Sequence, residues 1–192
     1  MANKVKYGLS NCYYSVITEN TSGVTFGTPV ALPGAVNLSL DQEGETNKFR
    51  ADNIDYYVSI SNNGYSGSLE LALIPDAFLK DVMGETVDGT NALQIEFADA
   101  KPKAFALLFQ FEGDDKATRH ILYNCKATRP SLASQTTDTT IEPVTETMDL
   151  TATAQNLTVA GVVRPVVKAK CYYGDAAYSG FFSTVAVPTA ST

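Results

Sequence analysis

Tryptophan is absent from the 192-residue sequence, histidine occurs once, and cysteine occurs three times. Cys12, Cys125 and Cys171 are spread over the chain, and none of them forms a CxxC pair. Their odd number and wide spacing predict neither a disulfide framework nor a zinc site. We expect three reduced thiols that act as small apolar residues in buried strands.

Motifs for nucleotide binding, metal binding and hydrolysis are also lacking. The sequence contains no GxxxxGK[ST], GxGxxG or HExxH pattern and no EF-hand loop. The segment 64–68 approaches a nucleophile elbow, but its last position is serine and it lies where a turn between strands is expected. The acid pairs Asp114–Asp115 and Asp52–Asp55 fit solvated turns better than cation sites. We therefore expect no enzyme, no cofactor and no metal site.

Positive charge is scarce, because 14 lysines and arginines face 21 acids and leave a formal net charge of -7. This excess disfavours attraction to phosphates, so tight nucleic-acid binding is not expected. No apolar run reaches transmembrane length, and polar residues interrupt the segment after the basic start, so we expect neither a membrane span nor export. The length fits one domain over residues 1–192, with flexible N-terminal and C-terminal ends.

Alternation of apolar and polar residues recurs along the chain and is typical of half-buried β-strands. The run 104–111 is apolar at nearly every position, which predicts a central strand covered on both faces. In the next run, four apolar residues alternate and are expected to share one face: Ile121, Tyr123, Cys125 and Ala127.

The segment 62–64, Asn-Asn-Gly, is typical of a turn and predicts a hairpin between strands at 56–60 and 69–73. The threonine-rich run 144–153 predicts a strand with one solvated face. The tail at 181–187 predicts one more strand.

One segment has helical periodicity instead. Phe78, Leu79, Val82 and Met83 would share one helix face, and Gly84 fits the left-handed residue that ends a helix. The stretch 41–55 is long and polar, which predicts an extended hairpin arm or a flexible loop. The expected fold is therefore mainly β: a β-sandwich or half-barrel of antiparallel strands, with one short flanking α-helix at about residues 75–83 and a long polar arm at about 41–55.

Two segments together resemble a known family. The first runs from Leu69 to Gly84, after Tyr56–Tyr57, and combines a strand, a short helix and a glycine; the second is the strand at 143–147 in its threonine-rich surroundings from Ile141. They resemble the major tail protein, or tail tube protein, of long-tailed bacteriophages that infect Gram-positive hosts. The resemblance covers most of the chain and contains no catalytic motif.

That resemblance implies a structural virion protein whose subunits assemble into stacked hexameric rings, which form the phage tail tube and the conduit for DNA ejection. The implied partners are further copies of the chain and other tail proteins, namely the tape measure, tail terminator and distal tail proteins. Double-stranded DNA would pass through the lumen without specific binding, and no membrane would take part. The protein would be made in the host bacterial cytoplasm and reside in the tail.

Under this resemblance, the polar arm is expected to pack against a neighbouring subunit or the next ring. The expected assembly residues are Glu43, Glu45, Lys48, Phe49 and Arg50.

Two alternatives remain open at the level of sequence. One is a carbohydrate- or receptor-binding β-sandwich module of a tail tip or capsid decoration, for which Tyr172–Tyr173, Tyr178 and Phe181–Phe182 would supply an exposed aromatic patch. The other is a hydrolase that uses paired carboxylates brought together only in space.

Overall fold

A computed structural model describes residues 5–20, 23–113, 116–136 and 143–189. Within these ranges the chain forms antiparallel strands and one short helical segment, which confirms the expected mainly β fold. The strands are β1 Leu9–Asn20, β2 Gly23–Phe26, β3 Val30–Ala31, β4 Ala35–Glu43, β5 Thr46–Ala51, β6 Ile54–Ile60, β7 Gly64–Leu71, β8 Thr86–Val87, β9 Gln94–Ile95, β10 Phe105–Phe111, β11 Arg119–Ala127, β12 Glu146–Thr153, β13 Gln155–Val159, β14 Val162–Val166 and β15 Lys168–Cys171.

Most strands belong to one antiparallel sheet. Its path is β2-β1-β10-β11-β12-β7-β4, with β3 paired to β1 and β15 paired to β11. Over the residues that the structure describes, the sheet does not close into a barrel. β1, near one end of this path, nevertheless approaches β4 at the other end, because Leu9 of β1 and Leu38 of β4 line the same small cavity. The sheet is therefore a half-open barrel.

Two apolar cores lie on opposite faces of this sheet, and β10 contributes to both. Phe105, Leu107 and Phe109 enter the first core, whereas Ala106 and Leu108 enter the second. The prediction of a central strand buried on both faces is thus confirmed.

Different elements cover the two cores. The helical segment packs into the first core, together with the inward side chains of β7 and β12. The second core is covered by β13 and by the C-terminal segment, through Phe181 and Val185. All three cysteines are free, buried and in strands, as expected.

The predicted short helix is present but is mostly of the wider π type. One turn of α-helix, α1 (Asp76–Phe78), continues directly as a π-helix over Leu79–Met83. Gly84 ends the segment with a φ of 80°, and its amide donates to the Leu79 carbonyl five residues earlier. The Tyr14 hydroxyl donates a 2.8 Å hydrogen bond to the Asp81 carboxylate, which ties the segment to β1.

The predicted hairpin between 56–60 and 69–73 is wrong. β6 pairs with β5, whereas β7 lies between β4 and β12. The chain reverses at Asp52–Asn53, where φ is 52° and 62°, as a type I′ turn requires. Gly64 instead allows β7 to lie close to the backbone of β12, because a Cβ at this position would lie 1.9 Å from the Ala152 carbonyl oxygen.

Two further strand predictions are wrong. Ile121 and Tyr123 enter the second core, but Cys125 and Ala127 enter the first. The cause is a β-bulge, since two residues of β11 lie opposite the single residue Ala106 of β10 and the side-chain alternation is reset.

The tail at 181–187 forms no strand. The Phe181 amide donates to the Tyr178 carbonyl and the Ser183 amide to the Gly180 carbonyl, so the chain turns here and cannot run along a sheet edge. Phe181 and Val185 anchor the tail by burial in the second core.

The expected flexible ends lie, at 1–4 and 190–192, outside the described residues. The acid pair Asp114–Asp115 and the segment 137–142, which includes Ile141, also lie outside them. The single domain over residues 1–192 stays a prediction.

Candidate assembly surface

A two-stranded hairpin extends from the sheet as a continuation of β4 and β7. Glu43 pairs with Gly64 where the sheet ends, and the Ser61 amide then donates a 3.0 Å hydrogen bond to the Glu45 carbonyl. Pairing continues through β5 and β6 to the turn at Asp52–Asn53. This hairpin arm comprises residues 44–63. The polar stretch predicted at 41–55 is thus largely an arm, although the prediction begins within β4 and ends at the second residue of β6.

The hairpin arm exposes large apolar side chains on both of its faces. Phe49 and Tyr57 are paired across the strands and are each 63% exposed. By strand alternation, Val58 and Ile60 lie on the opposite face, and Ile60 is 75% exposed. Tyr56, which lies at a β-bulge between the Arg50–Asp55 and Phe49–Tyr57 pairs, is 70% exposed. Among the described residues, neither core includes a side chain of the arm. An isolated two-stranded ribbon is marginally stable in water, so a covering partner would stabilise it.

Three charged side chains of the arm pair with each other. Lys48 Nζ lies 2.9 Å from Asp55 Oδ2, and Arg50 Nε lies 3.3 Å from Asp55 Oδ1. These pairs are exposed, and exposed salt bridges contribute only about 0–1 kcal/mol. Lys48 and Arg50 can therefore exchange Asp55 for an acidic partner on another chain at little cost.

The five residues expected from the sequence all lie in or at the base of the hairpin arm. Lys48, Phe49 and Arg50 are on β5, Glu45 is at the base, and Glu43 ends β4, where its carboxylate accepts a hydrogen bond from the Ser66 hydroxyl. Their role in assembly stays a prediction.

Sequence reasoning missed the exposed apolar residues of β6. The pattern at 56–60 predicts a strand of a hairpin with 69–73, because aromatic and β-branched residues favour strands, but it does not predict that these side chains are exposed. The available signal was the unbroken series of large residues at 56–58, which fits a strand covered on both faces.

Most of the aromatic side chains that the carbohydrate-binding alternative requires at the surface are buried or half-buried. Phe181 is buried in the second core. The Arg119 guanidinium lies 3.7 Å from the centre of the Tyr178 ring and 4.6 Å from that of Phe182. Tyr173 is 78% exposed, but it stands at the edge of this cluster, in T-shaped contact with Tyr178. The cluster does not present the exposed patch that this alternative requires.

The described part of the chain was compared with the requirements of a metal site and of a reactive thiol or histidine. No cluster of three or more His, Cys, Asp or Glu residues that could hold a metal ion occurs there. Burial raises the pKa of the Cys12 and Cys125 thiols to about 12, so they stay protonated at neutral pH. His120 stacks on the Phe109 ring with 5.2 Å between ring centres. No helix among the described residues is long and apolar enough to cross a membrane.

Comparison with protein families gives a match to the family described as phage tail tube protein, over residues 2–185. The chain belongs to the phage tail tube protein family. This membership indicates a structural protein of the phage tail, and it confirms the resemblance to tail tube proteins that the residues suggested.

No curated protein matches this tail tube chain. Among solved structures, it is similar to a chain in the cryo-EM structure of the anti-feeding prophage cap, which terminates the tube of that particle. The two chains are 11% identical, the alignment covers 90% of this chain and 95% of the other, and the TM-score is 0.45. This structural similarity is too weak to indicate a function. The family assignment therefore rests on the match over residues 2–185.

Proposed function

We propose that the chain is the subunit of a tail tube made of stacked hexameric rings, through which DNA leaves the virion of a long-tailed phage that infects a Gram-positive host. It acts there without enzymatic activity. It is made in the host cytoplasm and assembles with the tape measure, tail terminator and distal tail proteins. Membership of the tail tube family supports the role in a tube.

The observation that carries the assembly proposal is the hairpin arm. It projects apolar side chains that the subunit does not cover, on two strands that continue from the main sheet. A ring or stack requires head-to-tail contacts, in which an outward element of one subunit fits a different surface of the next. Phe49 and Tyr57 supply apolar contact in this proposal, and Glu43, Glu45, Lys48 and Arg50 supply interfacial charge.

Net charge fits a conduit for DNA. Each subunit carries a formal charge of -7, so six copies carry 6 × -7 = -42 per ring. A negative wall repels phosphates and lets the duplex slide without being held.

Replacement of the hairpin between its base residues tests the proposal. Residues 46–60 are exchanged for Asn-Gly, so that Glu45 and Ser61, already hydrogen-bonded, flank a two-residue turn. We expect this variant to fold as a monomer and to form no rings or tubes. Negative-stain electron microscopy and light scattering on concentrated protein, beside the unmodified chain, provide the measurement.

Point variants remove the apolar contacts proposed for the arm while keeping the arm itself. Phe49→Ser with Tyr57→Ser should abolish assembly, whereas Asn47→Ser, also exposed on β5, should leave it unchanged. Rings formed by the armless variant would show that other surfaces make the contacts. An unmodified chain that stays monomeric at all concentrations and salt levels would speak against the tube itself.

A further inference from the structure

Two cavities lie side by side where the main sheet divides. β11 pairs with β15 through 119–122 and with β12 through 124–127, so two branches of the sheet begin at β11. The first cavity has a volume of about 310 Å³ and is lined by residues of β15 on one branch and of β4 and β7 on the other. The second cavity adjoins it, because Lys6, Phe111 and His120 line both. The two cavities together form the lysine cleft.

Three lysines line this cleft, and each ammonium group lies over an aromatic ring. Lys6 Nζ is 5.3 Å from the centre of the Phe111 ring, and Lys168 Nζ is 4.6 Å from that of Tyr65. Lys170 Nζ likewise lies 5.2 Å from the centre of a tyrosine ring. The Lys168 ammonium also donates a hydrogen bond to the Tyr65 hydroxyl. Cation–π attraction positions these groups without neutralising their charge.

The lysine cleft is positive although the chain as a whole is negative. Among the described residues that line it, no aspartate or glutamate occurs. In the described part of the chain, no ion pair joins Lys6 or Lys168 to an acid. The cleft thus concentrates three of the 14 cationic side chains of a chain with a net charge of -7. An anion that enters gains attraction without displacing a carboxylate from these two lysines.

The floor and one wall of the cleft are apolar. His120 stacks on the Phe109 ring at 5.2 Å and meets the Phe111 ring at a steep angle at 5.3 Å, both between ring centres. Leu38 and Leu40 of β4 form the wall and are only partly buried against the first core. Ligand sites typically combine such an apolar lining with a few polar groups in a volume of about 300–1,000 Å³.

We infer that the lysine cleft binds a small organic anion, in which an oxyanion group such as a carboxylate is joined to an apolar body. The ammonium groups of Lys6 and Lys168 bind the oxyanion group, and the apolar body lies over Phe111 and against Leu38 and Leu40. Charge and apolar contact are both required. The inference does not depend on the proposed tube, because one chain supplies all of these residues.

Equilibrium dialysis of the full chain against phenylbutyrate tests the inference, whether the chain is monomeric or assembled. We expect saturable binding of one molecule per subunit. Two further probes each lack one half of the required chemistry: phenylbutanol keeps the ring without the charge, and butyrate keeps the carboxylate without the ring. Each should bind at least about tenfold more weakly than phenylbutyrate, since each loses either the charge-assisted contacts or the apolar burial.

Lysine variants locate the site. Lys6→Gln with Lys168→Gln removes both charges and should weaken phenylbutyrate binding by about tenfold or more. Lys101→Gln removes an exposed charge outside the cleft and should leave binding unchanged. Both cleft lysines are exposed, so the double variant should unfold at the same urea concentration as the parent.

Three results would overturn the inference. The first is the absence of saturable binding to the unmodified chain. The second is equal binding of phenylbutanol and phenylbutyrate, because the charge would then take no part. The third is unchanged affinity in the double lysine variant, because the anion would then bind elsewhere. None of these results bears on whether the chain forms tubes.

Discussion

Phe78 joins the helical segment to the sheet through ring contacts. Its side chain is fully buried, and it makes T-shaped contacts with Tyr14 at 5.0 Å and with Phe105 at 5.3 Å between ring centres. These contacts connect α1 to β1 and β10. The residue therefore packs within the subunit, as its helical position predicts.

Truncation of this ring should destabilise the subunit. Phe78→Ala leaves a cavity in the first core and should lower the free energy of unfolding by about 3–5 kcal/mol, measured by urea denaturation. Leu73→Ala is the control: Leu73 is 67% exposed, and its truncation should change the value by no more than about 0.5 kcal/mol. A Phe78→Ala subunit that unfolds like the parent but cannot assemble would reassign Phe78 to a subunit contact.

The buried thiols should make stability fall at alkaline pH. The ordinary value of 9.0 applies to the unfolded chain, whereas burial raises the pKa of Cys12 and Cys125 to about 12 in the folded chain. Between pH 9 and 10 the unfolded chain releases protons that the folded chain keeps, so the free energy of unfolding decreases as pH rises. The limiting slope is about 1.4 kcal/mol per pH unit for each thiol.

Urea denaturation at several pH values measures this slope. Cys125→Ala removes one titrating group and should make the decline shallower, whatever the variant does to stability at pH 7. An unchanged slope would show that the Cys125 thiol titrates alike in both states.

At the scale of elements, strand positions followed from the sequence more readily than strand partners. The apolar run of β10 and the alternation in β12 specify local burial, which the residues themselves determine. The strand that pairs with β6 is not determined by the residues of β6 alone. The segment Asn62–Gly64 is typical of a turn, but Gly64 is required because β7 lies close to the backbone of β12. The bulge in β11 could not be predicted either. The apolar residues from Ile121 to Ala127 alternate without interruption in the sequence, although they enter two different cores.

The candidate site shows the same limit. The charges and Phe49 could be predicted to lie on an arm because the stretch is too polar for a core. The residues of β6 could not, because an interface that is covered only in an assembly uses the same aromatic and β-branched residues as a core strand. The sequence of one chain does not show whether such a strand is buried within its own subunit or against a neighbouring subunit.

The turn of the hairpin arm offers a local test of its order. Asp52 has a φ of 52°, and proline fixes φ near -65°, so Asp52→Pro cannot form the type I′ turn. We expect faster hydrogen exchange at the amides of Phe49 and Tyr57, no assembly, and an unchanged free energy of unfolding of the core. Asp52→Gly tolerates positive φ and should behave like the parent. Protected amides in Asp52→Pro would show that contacts other than the turn order the arm.

At the scale of the whole molecule, like charge opposes association. Subunits of charge -7 repel one another, and salt shortens the range of that repulsion from about 30 Å at 0.01 M to about 8 Å at 0.15 M. The apolar contacts proposed for the arm are not weakened by such salt. The balance between the two should therefore move toward assembly as salt is added.

Light scattering across a sodium chloride series measures this balance. We expect tubes to lengthen or to appear at lower protein concentration between 0.01 M and 0.15 M salt. Tubes that dissociate over the same range would indicate that ion pairs between subunits, for example ion pairs formed by Glu43 or Lys48, dominate the contact between subunits.

The continuity of β4 and β7 with the hairpin arm bears on mechanical strength. In a tube held together by the arm, tension on one subunit would pull both strands in the same direction along their length. Such a load shears the ladder that joins β7 to β12, and it stretches many hydrogen bonds at once instead of opening them one after another. A tube held in this way would resist tension, since β5 and β6 of the hairpin arm continue directly from β4 and β7 of the main sheet.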